Sequence, residues 1–376
     1  MEGTGLIERR KFRMSAAMER REFLRALVFS PGLLRSWVGM QSALLAAQRP
    51  NGPAFQSPLS KEAPRERVIA NGDFFVRNHF QTPQIVVDSW SLVVDGLVST
   101  PLKLSYSDIL LMNSVRRPTT MECAGNISGG VGVGNAVWSG VPLGDLLKQA
   151  GPKPVASTVV LHGADSGEGE DLPGNTHFAR GIPLEKAADA STLLAYEMNG
   201  SPLPADHGFP LRALVGGWYG MDSVKWLSRV QISDQPFQGY FQQKHYVALR
   251  ANGERRAVTR MLVNSKFLRP SEGEEIHTGT YRVEGVAWAG EGKIAKVEFR
   301  TEPGETWQTV TMTASSAPMT WTPWSYDWHV PASGKYTLEV RATDAEGHTQ
   351  PDARDPDRQD AYELNTPHRI SVTAGS

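Results

Sequence analysis

Apolar and polar positions alternate most clearly near the C-terminus. Tyr336, Leu338, Val340 and Ala342 fall on one side of an extended segment and Thr337, Glu339, Arg341 and Thr343 on the other, the period-two signature of a half-buried strand. Residues 285–288, 296–300, 307–312 and 321–328 repeat this texture in short runs separated by turns. Such runs, with no helix of useful length between them, predict an all-β sandwich over residues 251–376. Residues 67–250 read differently. Positions 85–94 alternate β-branched side chains and end at Asp95-Gly96, a turn signal. Positions 141–148 place a proline at a helix entry and leucines at helical spacing. Residues 159–161 predict a short buried strand leading into a polar loop from Gly163, and 224–232 predict another strand. The mixture predicts an α+β fold ahead of the sandwich.

Composition narrows the function classes. Hydrophobic types make up 40% of the 376 residues, and the length suggests two or three domains that each bury a core. No uncharged apolar run reaches the ~18 residues of a membrane-spanning helix. The single Cys, Cys123, excludes an internal disulfide framework and multi-cysteine zinc or iron–sulfur sites; a buried thiol or a lone thiolate ligand remains. The net charge of −1 hides an asymmetry, because residues 1–50 carry nine Lys/Arg against four Asp/Glu. The rest is mildly acidic, which argues against nonspecific nucleic-acid binding. Within the basic start, Glu19-Arg20-Arg21-Glu22-Phe23-Leu24-Arg25 resembles a twin-arginine export signal, followed by apolar stretches at 26–29 and 33–47. Arg35 interrupts the apolar region and no Ala-x-Ala precedes Gln48, so a short amphipathic helix is the alternative reading. The expectation is an export signal over 1–47, a linker over 48–66 rich in proline, and a periplasmic location for a protein exported folded.

Three segments carry candidate chemistry. Cys123 stands in Thr120-Met-Glu-Cys-Ala-Gly-Asn126 and is followed by the glycine-rich run 129–134. Small neighbours admit bulky material near the sulfur, although a lone Cys often only packs. The glycines are not a dinucleotide loop, because Asn135-Ala-Val-Trp-Ser-Gly-Val-Pro142 forbids the helix that must follow. Arg77, Asn78 and His79 sit within an aromatic frame, where polar groups need an anion or acceptor, or a structural carboxylate. His207, Arg212 and Lys225 occur on glycine-bearing loops suited to a phosphate-bearing ligand.

Together these segments resemble the sulfite oxidase family of molybdenum enzymes over about residues 67–376. The resemblance rests on Phe75-Val-Arg-Asn-His79, Glu122-Cys-Ala-Gly-Asn126, Leu194-Ala-Tyr-Glu-Met-Asn-Gly200 with Pro202-Leu-Pro204, Asp206-His-Gly-Phe-Pro-Leu-Arg212 and Val224-Lys-Trp-Leu227. It implies a molybdopterin-binding α+β domain (67–250) and an immunoglobulin-like dimerisation domain (251–376). By the same resemblance Cys123 is the thiolate on molybdenum, a soft ligand for that metal. Asn78, His79, Asp165, His207, Arg212 and Lys225 hold the pterin cofactor, Arg77 attracts an oxyanion, and Tyr246 is the active-site tyrosine. The implied activity is oxygen-atom transfer to sulfite, with electrons leaving to an external acceptor such as a c-type cytochrome, in a homodimer. Two departures bear on substrate. Ile127-Ser128 stand where many relatives carry basic residues, and the C-terminal region that often supplies a substrate arginine offers Arg358 or Asp360 instead. A relative acting on another sulfur compound, by sulfane oxidation or S-oxide reduction, and a catalytically silent binding protein are the competing readings.

Overall fold

In the computed structural model, which describes residues 68–169, 171–314 and 317–376, most regular structure is β. The expected export signal and linker lie outside the described residues. The α+β expectation is met only in part, since the α-helices are short: Tyr106–Leu111, Leu143–Ala150 and Leu184–Ala188. Ser107–Met112, most of the first, belongs to a separate compact unit; within it the Met112 amide donates to the Ile109 carbonyl at 3.2 Å. Leu143–Ala150 follows Pro142 and ends at Gly151, whose left-handed φ of 65° lets its amide cap the Leu147 carbonyl. No helix among the described residues is long and apolar enough to cross a membrane.

Two five-stranded sheets occupy residues 91–233, hereafter the N-terminal sheets. One runs Leu102–Ser105, Ser91–Gly96, Leu227–Ser233, Thr158–Gly167, Thr176–Pro183. The other runs Val115–Glu122, Val133–Pro142, Thr192–Met198, Ser201–Pro202, with Arg212–Val215 also pairing to Thr192–Met198. Val115–Glu122 and Val133–Pro142 pair antiparallel with Glu122 opposite Val133. Cys123 is therefore the first residue to leave the sheet, and 123–132 is the loop that joins the two strands. Two further sheets, the C-terminal sheets, follow over 264–375. Asn264–Arg269, Gly279–Trp288, Thr322–Val330 and Thr311–Met312 form one. Glu275–His277, His368–Gly375, Gly334–Asp344, Ile294–Arg300 and Gln308–Thr309 form the other. Phe267, Val283, Trp324, Phe299, Leu338 and Val340 from both sheets join in one buried cluster. A second cluster crosses between the two pairs of sheets: Phe74, Met121 and Trp138 pack with Val286, Trp288 and Trp321.

Several element boundaries differ from the sequence reading, each for a local reason. The strand expected at 85–94 begins at Ser91, because 86–90 turn through hydrogen bonds from Ser89 and Trp90 amides to Val86 and Val87 carbonyls, leaving Val86 exposed. The strand at 159–161 extends through the expected polar loop to Gly167, since Gly167 and Ser166 pair with Thr176 and His177. In 224–232 the strand begins only at Leu227, after Trp226 takes a left-handed φ of 49°. Asn264–Arg269 and Glu275–His277 are strands the pattern did not reveal.

Candidate functional site

A cavity opens at the ends of the N-terminal sheets. Arg77, Asn78, His79, Cys123, Asp165, His207, Arg212, Lys225 and Tyr246 all line it. His79 and Tyr246, 167 positions apart in sequence, meet there through a 2.6 Å contact between His79 Nε2 and the Tyr246 hydroxyl.

Cys123 reaches the cavity because the Val115–Glu122 strand ends beside it. Its amide donates to the Gly132 carbonyl at 2.8 Å and its carbonyl accepts from the Asn126 amide at 2.9 Å, which curls the loop around the sulfur. Burial pushes the thiol upward from its usual value, opposed by the Gly125 amide and the Arg77 charge. Behind it, Glu122 is 2% exposed and is pushed up to about 7 by burial, against hydrogen bonds from Trp288, Asn126 and Asn264.

The cationic wall is built by two loops. Arg212 is 3% exposed and donates to the carbonyls of His207 (3.1 Å) and Ser223 (2.9 Å), with its guanidinium 5.1 Å from the Trp138 ring centre. Burial lowers it to about 9. Lys225 donates to the Asp206 carbonyl at 2.8 Å and to Asn78 Oδ1, and lies 4.5 Å from the Trp226 ring. Burial, then the Arg212 charge, lowers Lys225 to about 7. Gly208 lets these two cations close on each other: its φ is 107°, and a Cβ there would stand 3.1 Å from the Cβ atoms of Arg212 and Lys225. His207, lowered to about 4 by burial and then by the charges of Lys225 and Arg212, is neutral at ordinary pH and contacts the Asn71 carbonyl at 3.0 Å. Among the described residues, none of Arg77, Arg212 and Lys225 has a carboxylate within ion-pair distance; their partners are carbonyls, an amide and, for Arg212, the Met121 sulfur at 3.5 Å. Asp165 is buried at 3% exposure with Oδ1 lacking any hydrogen-bond partner, and burial raises it to about 6.

At the other end, His79 stacks on Phe178 with ring centres 4.4 Å apart and is lowered to about 3 by burial and then by Arg77. A neutral His79 can accept the Tyr246 hydroxyl proton in its hydrogen bond, and burial keeps that hydroxyl protonated by raising it well above the usual phenol value. Arg77 is exposed, and among the described residues its one hydrogen bond is to the neighbouring Asn78 carbonyl at 2.9 Å.

The sequence reading did not single out several residues of this neighbourhood. Arg180, fully buried, donates to Asp222 Oδ1 at 2.7 Å and to the Phe241 carbonyl, and its guanidinium lies 5.5 Å from the Tyr246 ring. Its signal was present: Phe178, Arg180 and Ile182 share one face of the Thr176–Pro183 strand. Tyr362 comes within 5.3 Å of Tyr246, ring to ring, from a segment distant in sequence. The two residues offered at the C-terminal region do not replace a substrate cation. Arg358 is held by Asp360 (2.8 Å to each oxygen) and by Glu363 (2.8 Å), so its charge is already neutralised. Ser128, in the position of a basic residue, is turned to the Thr366 carbonyl at 2.6 Å.

The arrangement therefore offers one soft sulfur ligand, a deep anion-receptive wall with an unmet acceptor, a hydrogen-bonded Tyr–His pair and one exposed arginine. Comparison with known proteins matches this chemistry. Residues 79–241 match the oxidoreductase molybdopterin binding domain and residues 255–373 the Mo-co oxidoreductase dimerisation domain. Sulfite oxidase of Gallus gallus is 30% identical, with 80% of this chain and 73% of that protein covered. A nitrate reductase of Hordeum vulgare is also 30% identical, over 78% of this chain and 39% of that one. The chain spans about three fifths of the length of the mammalian sulfite oxidases it matches. Among solved structures, the sulfane dehydrogenase SoxCD from Paracoccus pantotrophus superposes with a TM-score of 0.74 at 27% identity, covering 84% of this chain and 85% of that one. The chain belongs to the sulfite oxidase family of molybdopterin oxidoreductases.

Proposed function

We propose that this protein is a molybdenum-dependent oxidoreductase that oxidises sulfite to sulfate. The observation that carries the reading is the pairing of Cys123 with an anion-receptive wall that holds two buried or half-buried cations and no carboxylate partner for either. The residues present fit a molybdenum–molybdopterin group. Burying Arg212 without a counter-charge is costly unless an anion completes the site, and the pterin's phosphate supplies one. Asp165, whose buried Oδ1 has no hydrogen-bond partner among the described residues, lines the same cavity and would suit a pterin N–H. Cys123 would ligate the metal, while Asn78, His79, Asp165, His207, Arg212 and Lys225 would hold the organic part. When bound, the group supplies oxygen-atom transfer and takes up two electrons.

The chain's own side chains have three tasks. Arg77, exposed and unpaired by any carboxylate, draws the oxyanion to the cavity mouth. Tyr246, kept protonated by burial and oriented by His79 at 2.6 Å, presents a fixed hydroxyl beside it. The Phe74, Phe75 and Phe178 rings line the cavity and give it an apolar surface that disfavours water. The overall reaction joins sulfite and water to give sulfate, two protons and two electrons. An external acceptor such as a c-type cytochrome receives the electrons one at a time. The Arg20-Arg21 segment supports a periplasmic location, and the matched dimerisation domain supports a homodimer with an immunoglobulin-like two-sheet body.

A second reading has its own observation. Arg358 is neutralised and Ser128 is uncharged, so neither adds free positive charge for a dianion. That favours a less charged sulfur substrate, such as the sulfane named for the Paracoccus relative. A ferricyanide-coupled assay of the molybdenum-loaded protein against sulfite, thiosulfate and sulfoxides separates the two. The sulfite reading expects the largest kcat/KM with sulfite; turnover confined to thiosulfate-like compounds replaces it with the second.

A further inference from the structure

The loop that carries Cys123 is anchored from the C-terminal sheets as much as from its own. Trp288 Nε1 donates to Glu122 Oε2 at 2.9 Å, and Asn264 Nδ2 approaches Glu122 Oε1 at 3.4 Å. Lys266 Nζ donates to the Gly130 carbonyl at 3.0 Å, and the Glu363 amide to the Ala124 carbonyl at 3.1 Å. Inside the loop, Asn126 Nδ2 donates to Glu122 Oε1 at 3.0 Å, and Asn126 Oδ1 accepts from the Gly132 amide at 2.9 Å. Gly132 in turn accepts the Cys123 amide. An unbroken hydrogen-bonded path thus runs from the Trp288 indole through Glu122, Asn126 and Gly132 to the cysteine backbone.

Glu122 and Lys266 are 2% and 1% exposed. Buried charged side chains are expensive, and apolar replacements of similar size often serve stability as well or better. What a fully hydrogen-bonded buried network does well is hold one geometry. We infer that the C-terminal sheets position the Cys123 sulfur, with Glu122 and Lys266 as the positioning residues that transmit the placement. The inference rests on the reading of Cys123 as the metal ligand. It gives a part of the chain matched to dimerisation a second task inside the metal site.

The test uses the molybdenum-loaded protein and two readouts besides turnover: the Mo(V) electron paramagnetic resonance signature after partial reduction, and the rate of molybdenum loss on dialysis against a chelator. Trp288→Phe removes one indole N–H and keeps an aromatic ring, Glu122→Gln weakens the acceptor, and Lys266→Met frees the Gly130 carbonyl. Trp328→Phe, in the separate core of the C-terminal sheets, is the control. The expected result is a changed signature and roughly tenfold faster metal loss in the first three, as for other groups that orient a metal ligand, with the control unchanged. Should Glu122→Gln fail to fold, Trp288→Phe and Lys266→Met decide. Cys123→Ser separates the two levels. If it alters the signature while folded Trp288→Phe and Lys266→Met match the unsubstituted protein, the positioning inference is overturned. If Cys123→Ser leaves the signature unchanged, the ligand reading itself falls.

Discussion

Arg212 and Lys225 are buried or half-buried cations that line a cavity and have no carboxylate within ion-pair distance among the described residues, and their charge states set a pH dependence. Lys225 is lowered to about 7 by burial and then by Arg212, so in the cofactor-free protein it is charged below that pH and neutral above it. An anion in the cavity favours the charged form. Stabilisation by an anion is therefore present below about 7 and lost as pH rises through it; Asp165, ionising above about 6, adds repulsion in the same direction. Sulfate keeps its charge across this range, so it should raise the melting temperature more at pH about 6 than at pH about 8.5. An equal rise at both contradicts the assignment of this wall. Arg77 belongs to the mouth and not the wall. Arg77→Met should raise KM for an anionic substrate about tenfold with a smaller change in kcat, as expected when one charge-assisted contact is lost. Arg77→Lys should recover part of that loss. Steady-state kinetics on the loaded protein read both.

At the scale of elements, the turn at Gly208 determines how closely the two cationic loops approach. Its φ of 107° strains any side chain there, and a Cβ at 3.1 Å from those of Arg212 and Lys225 would crowd both. Gly208→Ala should cost about 1–2 kcal/mol in denaturant unfolding and weaken sulfate stabilisation along with it. Loss of stability with full sulfate response would assign Gly208 to folding alone. Much of this level was legible in the sequence. The alternation over 336–343, with Leu338, Val340 and Ala342 inward, appears as the strand Gly334–Asp344, and the leucines of 141–148 appear as the helix Leu143–Ala150. The nine candidate site residues surround one cavity because short motifs at strand ends carry their chemistry with them. What was not legible depends on distant partners. The polar stretch 163–167 is a strand only because 176–177 pairs with it. Arg358 reads as a free cation until Asp360 and Glu363 are seen around it. The partners of Arg180, Asp222 and the Phe241 carbonyl, lie 42 and 61 positions away in sequence and meet it only in the fold.

On the scale of the whole molecule, the N-terminal and C-terminal sheets share a core. Trp138 and Met121 pack in one buried cluster with Trp288, Val286 and Trp321, and the loop bearing Cys123 is hydrogen-bonded to both sets of sheets. A large apolar interface couples unfolding of the parts it joins. Calorimetry of the purified protein should show one cooperative transition, and two well-separated transitions would contradict a shared core. The central claim is narrower than the fold: one protein sulfur holds a pterin-bound molybdenum within this cavity. Molybdenum X-ray absorption on the purified protein and on Cys123→Ser tests it most directly. The account predicts about one molybdenum per chain, and one sulfur neighbour fewer in the variant; the same sulfur count in both, or a folded wild-type protein prepared with cofactor that retains no molybdenum, would contradict it.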